Sequence, residues 1–312
     1  ISYSLSPDIH KLFAEQFGIE IDYQIYDLNE DPNLFIKKFF KDGGVGLNVT
    51  KPFKEIVAES FSTNSSINCL YANGTKGTST DGQGLVNDLN SKNINIDKKN
   101  ILIFGLGGAA KSIIESCSDQ AKVYVASRTK DTLDNVLNAY PNCSPYNGSK
   151  IDLIISCATS LDESSLNFLK EVQLSVDSHV YDINYSNPTN KQIRDLALVS
   201  ESNTYSGVGM LVEQAAASFF LWFGKKPNTK MFETYDRFLK AWFAVFPDCG
   251  VYATSEVSSD VQNTFDVRQS VKSKFRFVYR YDDLSELDEF PTKLNRCFIL
   301  KIFMKIKILP LH

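Results

Sequence analysis

A chain of 312 residues, 43% hydrophobic and 22% charged, can bury a sizeable core and has the length of two domains. Its net charge of −4 gives no electrostatic case for nucleic acid or an anionic membrane, and three histidines cannot fill a multi-histidine metal site. The six cysteines, at 69, 117, 143, 157, 249 and 297, form no C-x-x-C unit, so they read as free buried thiols of a reducing, cytoplasmic compartment. No apolar run reaches the roughly 18 residues of a bilayer span, and the first residues carry no signal-peptide pattern. The first residue is Ile rather than Met, which reads as a fragment or a processed chain.

In chain order, Ser6-Pro7 followed by Ile9, Leu12, Phe13 and Phe17 predicts a capped helix with proline in its first turn, ending at Gly18. Tyr23 to Leu28 alternates as a strand does. Leu34, Ile36, Phe39 and Phe40 predict a helix closed by Gly43-Gly44, and Val45 to Val49 a strand. Pro52 opens a helix to about Ser60. Ile67 to Tyr71 reads as a strand and Gly82 to Leu89 as a helix, leading into the polar linker 91–100.

From residue 100 the rhythm becomes strand, helix, strand, helix. Strands are predicted at 101–104, 122–126, 151–156 and 179–183, and helices to about Cys117, at 132–139 and at 192–199. Such alternation argues a doubly wound parallel sheet. Gly209 to Phe223 then forms one long apolar helix. Residues 241–312 lose the rhythm. Their last stretch, Phe298 to Leu311, is rich in Ile, Leu, Phe and Lys and reads as a docked tail element, or as poorly selected sequence, in preference to a membrane contact.

Gly105-Leu106-Gly107-Gly108-Ala109-Ala110 follows a strand and opens a helix, the context that a G-x-G-x-x-A dinucleotide loop requires. Gly105 permits the tight turn, and Gly107 lets the backbone approach a pyrophosphate. Ala110 permits close helix–strand packing, and the helix N-terminus supplies N–H groups and positive dipole. The next strand ends in Ser127-Arg128-Thr129 rather than in an acid. A carboxylate there would repel a 2′-phosphate, whereas Arg128 can grip one and Ser127 and Thr129 can add hydroxyl donors. The loop therefore prefers NADP to NAD.

Three polar clusters precede residue 82: Ser4-Leu5-Ser6-Pro7, Asn48-Val49-Thr50-Lys51-Pro52-Phe53-Lys54 and Ser79-Thr80-Asp81-Gly82. Each sits at an element end, where functional groups collect. A lysine and an aspartate brought together can share proton work, and hydroxyls at a helix start can hold a carboxylate.

In this order the motifs resemble those of the shikimate dehydrogenase family. They are S-L-S-P-D-I-H at 4–10, N-V-T-K-P-F-K at 48–54, I-N-C-L at 67–70, S-T-D-G at 79–82 and G-L-G-G-A-A at 105–110. S-R-T at 127–129, C-A-T-S at 157–160, D-I-N-Y at 182–185 and G-V-G-M-L-V-E-Q-A-A at 207–216 complete the series. The resemblance covers roughly residues 1–240. It implies an α/β fold in which an N-terminal α/β substrate domain faces a Rossmann-like, doubly wound NADP domain across a cleft. The implied domains are 1–81 completed by 209–240, then 82–208, with 241–312 an extension of unassigned role.

The activity it implies is NADP-dependent reduction of 3-dehydroshikimate to shikimate by a cytoplasmic monomer or homodimer, with no metal, nucleic-acid or membrane partner. Carried over by position, Lys54 and Asp81 are the catalytic pair, and Ser4 and Ser6 hold the ring carboxylate with Tyr185 nearby. Thr50, Asn68 and Gln214 bond the ring hydroxyls or the carboxylate. Gly105, Gly107, Gly108, Ala109, Ala110 and Gly207 belong to the cofactor site. There Ser127, Arg128 and Thr129 face the adenosine 2′-phosphate, and Thr159 and Met210 lie near the cofactor. Lys51 does not match the family's catalytic lysine, which follows Pro-x. His10 reads as structural and Cys157 as packing at a strand end.

The sequence departs from the family pattern in four places. The opening strand with its Gly-x-Pro turn is not in it, and the 54–68 stretch is about seven residues short. Ser79 stands for the usual Asn, and 241–312 has no counterpart. The alternatives are a quinate/shikimate dehydrogenase with relaxed cofactor use and a truncated, non-catalytic relative.

Overall fold

The computed structural model describes residues 4–61, 66–185, 188–196, 198–200, 203–230, 232, 252–253 and 277–278. Residues 1–236 form one compact unit and 237–312 a second.

The first unit begins with α1 (Ser6–Gln16), which buries Ile9, His10, Phe13 and Ala14. The expected serine cap is not made. Leu5, already helical, stands at the N-cap with no side-chain bond, and Ser4 Oγ accepts from the Ser6 N–H at 3.3 Å. The expected strand at 23–28 is also absent. Alternation makes a strand only where a neighbour supplies ladder bonds, and this segment has no strand partner among the described residues. Its Tyr23 hydroxyl instead donates to Asn48 Oδ1 at 3.0 Å.

α2 (Pro32–Lys41) is capped by Asp31, whose carboxylate accepts from the Asn33 N–H. The strand expected at 45–49 shrinks to β1 (Leu47–Asn48), followed by α3 (Phe53–Ala58). β2 (Cys69–Tyr71) pairs antiparallel with β1 and with β3 (Lys76–Thr78). β3 was not foreseen. Asn73-Gly74, in the hairpin turn with positive φ at Ala72, Asn73 and Gly74, was its signal. Val57, Ala58, Ile67 and Leu70 form the local core. α4 (Asp81–Ser91) leads out of this part.

The parallel sheet contains β4 (Asn100–Phe104), β5 (Lys122–Ala126), β6 (Cys143–Pro145), β7 (Ile151–Ser156), β8 (Leu174–Asp182) and β9 (Thr204–Ser206). Its order is β6-β5-β4-β7-β8-β9, every pair parallel. α5 (Gly108–Cys117), α6 (Lys130–Ala139), α7 (Glu163–Glu171) and α8 (Pro188–Asp195) connect the strands. Ile101, Ile103, Val123 and Val125 meet Leu85, Leu89, Ile113 and Ile114 on one face. Leu102, Phe104, Tyr124 and Ile154 meet Leu161, Leu169 and Ile193 on the other. Burial of both faces explains the mainly apolar central strands β4, β5 and β7, and the order reverses between β4 and β7, where such sheets bind ligands at their carboxyl ends.

α9 (Val208–Phe223) returns to pack on α1 and α4. Phe219 lies 5.8 Å from Phe13 and 5.9 Å from Phe17 between ring centres, and the Trp222 indole donates to the Leu70 carbonyl at 3.0 Å. Gly224, at φ +65°, ends the helix. Among the described residues no helix is long and apolar enough to cross a membrane. Cys69, Cys117, Cys143 and Cys157 are free and buried. In the second unit Tyr252–Ala253 (β10) pairs antiparallel with Phe277–Val278 (β11). The rest of the 241–312 extension, including the tail element at 298–311, lies outside the described residues, as do positions 62–65 of the short 54–68 stretch.

Two consequences are measurable. A Cβ on Gly84 of α4 would stand 2.7 Å from the Gln214 backbone nitrogen of α9. Glycine to alanine inside a helix ordinarily stabilises by roughly 1 kcal/mol. Here overpacking reverses the sign, and thermal unfolding of Gly84→Ala will show a loss of about 1–3 kcal/mol. His10 is fully buried between the Tyr23 and Trp222 rings, at 4.7 and 4.8 Å, and its pKa is pulled down to about 3 by burial. The unfolded chain takes that proton near pH 6.5 and the folded chain does not. This stability is present above pH 6.5 and is lost as the pH falls toward 3, by up to about 1.4 kcal/mol per pH unit. Unfolding followed from pH 7 to 4 will fall less steeply in His10→Phe than in the wild type.

Candidate functional site

A cavity of about 1120 Å³ opens where β1, α1, α3, α4 and the start of α9 meet. Ser4, Ser6, Thr50, Lys54, Asn68, Asp81, Tyr185 and Gln214 all line it, so the whole proposed substrate and catalytic set converges. Ala109, Gly207 and Met210 of the expected cofactor set line the same space.

The centre is an ion pair. Lys54 leaves the first turn of α3, Asp81 stands at the first position of α4, and Lys54 Nζ lies 2.6 Å from Asp81 Oδ2. Both side chains are largely buried, at 14% and 8% exposure, where a charge is tolerated only when paired and hydrogen-bonded. Asn68 supplies that bonding. Its Nδ2 donates to Asp81 Oδ1 at 2.8 Å and also lies near Thr80 Oγ1 and Gln214 Oε1. Its Oδ1 accepts from the Thr80 N–H at 2.7 Å.

A second layer fixes Asn68. Asn48 Nδ2 lies 3.2 Å from the Asn68 carbonyl and 3.0 Å from Ser218 Oγ of α9. Gln214 is held by its own Nε2, which donates to the Leu211 carbonyl at 2.8 Å. Asn48, Thr80 and Ser218 were missed as site residues. Asn48 and Thr80 lie inside motifs already noted for Lys54 and Asp81, and Ser218 sits one helical turn beyond Gln214. Burial pushes the Tyr185 hydroxyl above its ordinary pKa, which keeps it protonated as a donor.

The glycine turn lies at the carboxyl end of β4. Gly105 adopts φ +87°, and its N–H donates to the Ala126 carbonyl at 3.0 Å. α5 starts with Gly107 at its N-cap, with no side-chain cap and no acid in its first turn. An uncapped N-terminus of this kind presents free N–H groups to an anion, so the turn fits a dinucleotide's diphosphate. Ala110 is fully buried, as the close helix–strand contact requires.

Ser127, Arg128 and Thr129 follow β5, apart from the cavity lining, and Thr159 is exposed in the turn after β7. Arg128 reaches Asp162, with Nη1 at 3.4 Å from Oδ2 and both side chains about half exposed. Asp162 was not foreseen. Bonds from the Ser165 N–H and from the Ser164 and Ser165 hydroxyls hold its carboxyl well below the usual range. Met210 is fixed by its backbone N–H, which donates to the Tyr181 hydroxyl at 3.1 Å, and that hydroxyl donates to Asp88 Oδ2 at 2.7 Å. Cys157 is buried after β7, and its thiol is pushed up by burial. No cluster of His, Cys, Asp and Glu among the described residues is suited to a metal.

Comparison with known proteins gives the same family from several directions. The family model for the shikimate dehydrogenase substrate binding domain matches residues 1–66, and that for the shikimate 5′-dehydrogenase C-terminal domain matches 207–230. A protein from Alteromonas mediterranea named shikimate dehydrogenase (NADP(+)) is 34% identical over 258 residues, 73% of this chain and 90% of its own. The structure resembles shikimate dehydrogenase 1 from Peptoclostridium difficile at 26% identity and a TM-score of 0.63, covering 78% of this chain and 95% of that one. It shares its fold with the Thermus thermophilus shikimate 5-dehydrogenase solved in complex with NADP(H) and shikimate. That match has 22% identity and a TM-score of 0.62, covering 75% of this chain and 94% of that one.

Proposed function

The chain belongs to the shikimate dehydrogenase family, and from that premise we propose how its residues carry out NADP-dependent reduction of 3-dehydroshikimate to shikimate. The observation that carries the assignment is the Lys54–Asp81 pair, buried in one cavity with Ser4, Ser6, Thr50, Asn68, Tyr185 and Gln214.

The reduced cofactor, when bound, supplies a hydride to the ketone carbon. Negative charge then grows on the ketone oxygen, and Lys54 is the cation placed to meet it. Its ammonium stabilises the alkoxide electrostatically and gives it a proton. Asp81 holds the ammonium by one carboxylate oxygen, while Asn68 holds the other. This fixes the direction of the lysine before substrate arrives, and fixed dipoles need no reorganisation during reaction. In the reverse direction Lys54, once neutral, takes the hydroxyl proton of shikimate.

Ser4 and Ser6, at the start of α1, hold the ring carboxylate, with the Tyr185 hydroxyl as a third donor. The missing serine cap supports this, because the Ser6 hydroxyl is not used to start the helix. Thr50 and the Gln214 and Asn68 amides bond the ring hydroxyls. Gly105, Gly107, Gly108, Ala109 and Ala110 form the turn under the diphosphate, while Gly207 and Met210 border the nicotinamide end. At the adenosine end Arg128, with Ser127 and Thr129 beside it, takes the 2′-phosphate, and Thr159 lies near the cofactor. Its exposed contact with Asp162 is screened by water and yields to a dianion. Residues 1–81 with the returning α9 make the substrate side, and 82–208 the cofactor side.

Shikimate-dependent reduction of NADP, followed by absorbance, tests this reading. The wild type will turn over with NADP in clear preference to NAD. Lys54→Met will lose about 10²-fold or more in kcat with a small change in KM for shikimate. Arg128→Ala will raise KM for NADP and leave NAD use little changed. Near-normal kcat in Lys54→Met, or equal loss with both cofactors in Arg128→Ala, would contradict the respective role.

A further inference from the structure

Lys51 is the lysine of N-V-T-K-P-F-K that the catalytic assignment leaves unused. It is exposed, lines the cavity, and has no hydrogen-bonding or ion-pair partner among the described residues. Its position is unusual. Lys51 Nζ stands 3.7 Å, and Cε 4.0 Å, from the place a Cβ on Gly107 would occupy, so the ammonium hangs over the glycine turn. Its charge also acts on the Cys157 thiol, the residue after β7, where it opposes the upward push of burial.

That location brings a cation to the positive end of a helix. α5 has no side-chain cap and no acid in its first turn. A lysine beside such an N-terminus is unfavourable unless an anion lies between them, because the dipole favours negative charge there. Two other lysines near that turn are already paired: Lys111 with Glu55 of α3 at 2.8 Å, and Lys54, whose Cδ lies 3.7 Å from the place of a Cβ on Gly108, with Asp81. A second polar group faces the same turn. Ser66 is 2% exposed, its Oγ has no partner among the described residues, and it lies 2.9 Å from the place of a Cβ on Gly108. An unpaired ammonium, an unpartnered buried hydroxyl and an uncapped helix start therefore converge on one spot.

We propose that Lys51 is a ligand of the cofactor's diphosphate, reaching it from the α3 side of the cavity while α5 holds it from below. This rests on reading the glycine turn as the dinucleotide site. It separates two anion contacts. Lys51 serves the diphosphate, which NADP and NAD share, and Arg128 serves the 2′-phosphate, which only NADP carries.

The experiment measures dissociation constants of NADP, NAD and adenosine 2′-phosphate for the full chain and for Lys51→Met, Lys51→Arg and Arg128→Ala. Lys51→Met should weaken NADP and NAD alike, by about tenfold, the scale of a lost hydrogen bond to a charged group. Adenosine 2′-phosphate, which has no diphosphate, should bind as before. Lys51→Arg, which keeps the charge, should restore most of the affinity for both dinucleotides. Arg128→Ala should weaken NADP and adenosine 2′-phosphate and spare NAD. The proposal is overturned if Lys51→Met leaves both dinucleotides unaffected, or weakens adenosine 2′-phosphate as much as NADP. If the wild type binds neither dinucleotide, the reading of the glycine turn fails and the proposal falls with it.

Discussion

Asn68 is a small side chain on which a large part of the molecule converges. Its amide, 3% exposed, meets the Asp81 carboxylate and the Thr80 hydroxyl at the start of α4, and the Gln214 amide on α9. Its own oxygen takes the Thr80 N–H, and its carbonyl is bonded from Asn48. A buried network of this kind is stabilising only when nearly every member is satisfied. The requirement fixes how α4 and α9 meet and brings Lys54 of α3 against Asp81. The geometry of the Lys54–Asp81 pair and the packing of α4 on α9 are here the same constraint. The lysine cannot be reoriented without freeing a buried carboxylate, and the carboxylate cannot shift without undoing the contact between α4 and α9.

The parallel sheet supplies the other half by a different principle. Its central strands are buried on both faces, and its order reverses between β4 and β7. The glycine turn therefore sits at the carboxyl end of a strand beside the crevice that reversal creates. α9 brings the two halves together. Gly207 at its N-cap and Met210 in its first turn line the cavity, and its later turns carry Gln214 and Ser218 to Asn68 and Asn48. Tyr181, reaching from β8, accepts from the Met210 N–H and so supplies the cap that Gly207 cannot.

The sequence made legible whatever depends on strong local periodicity or on motif order. The central strands β4, β5 and β7 were foreseen within a residue because burial on both faces demands short, mainly apolar runs. The edge strands β6 and β9 were not, since three residues with one unpaired edge carry no such run. α7 was hidden by its polar composition, although Asp162 followed by Ser165 was a readable cap. The strand expected at 23–28 shows the opposite error. Alternation was present, but the ladder partner that turns alternation into a strand was not. Lys54 and Asp81 were legible through their motifs. Ser218 and Asp162 were not, because their contacts with Asn48 and Arg128 cross 170 and 34 residues that no local pattern reports.

The central claim is that Lys54 and Asp81 act as one unit. A double-mutant cycle on kcat with saturating shikimate and NADP, using Lys54→Met, Asp81→Asn and the pair together, tests it most directly. If the two side chains share one proton-handling task, the double variant will be scarcely slower than Lys54→Met alone, and the cycle will be strongly non-additive. If the losses of the single variants multiply, the two residues work independently and the ion pair is not the catalytic element.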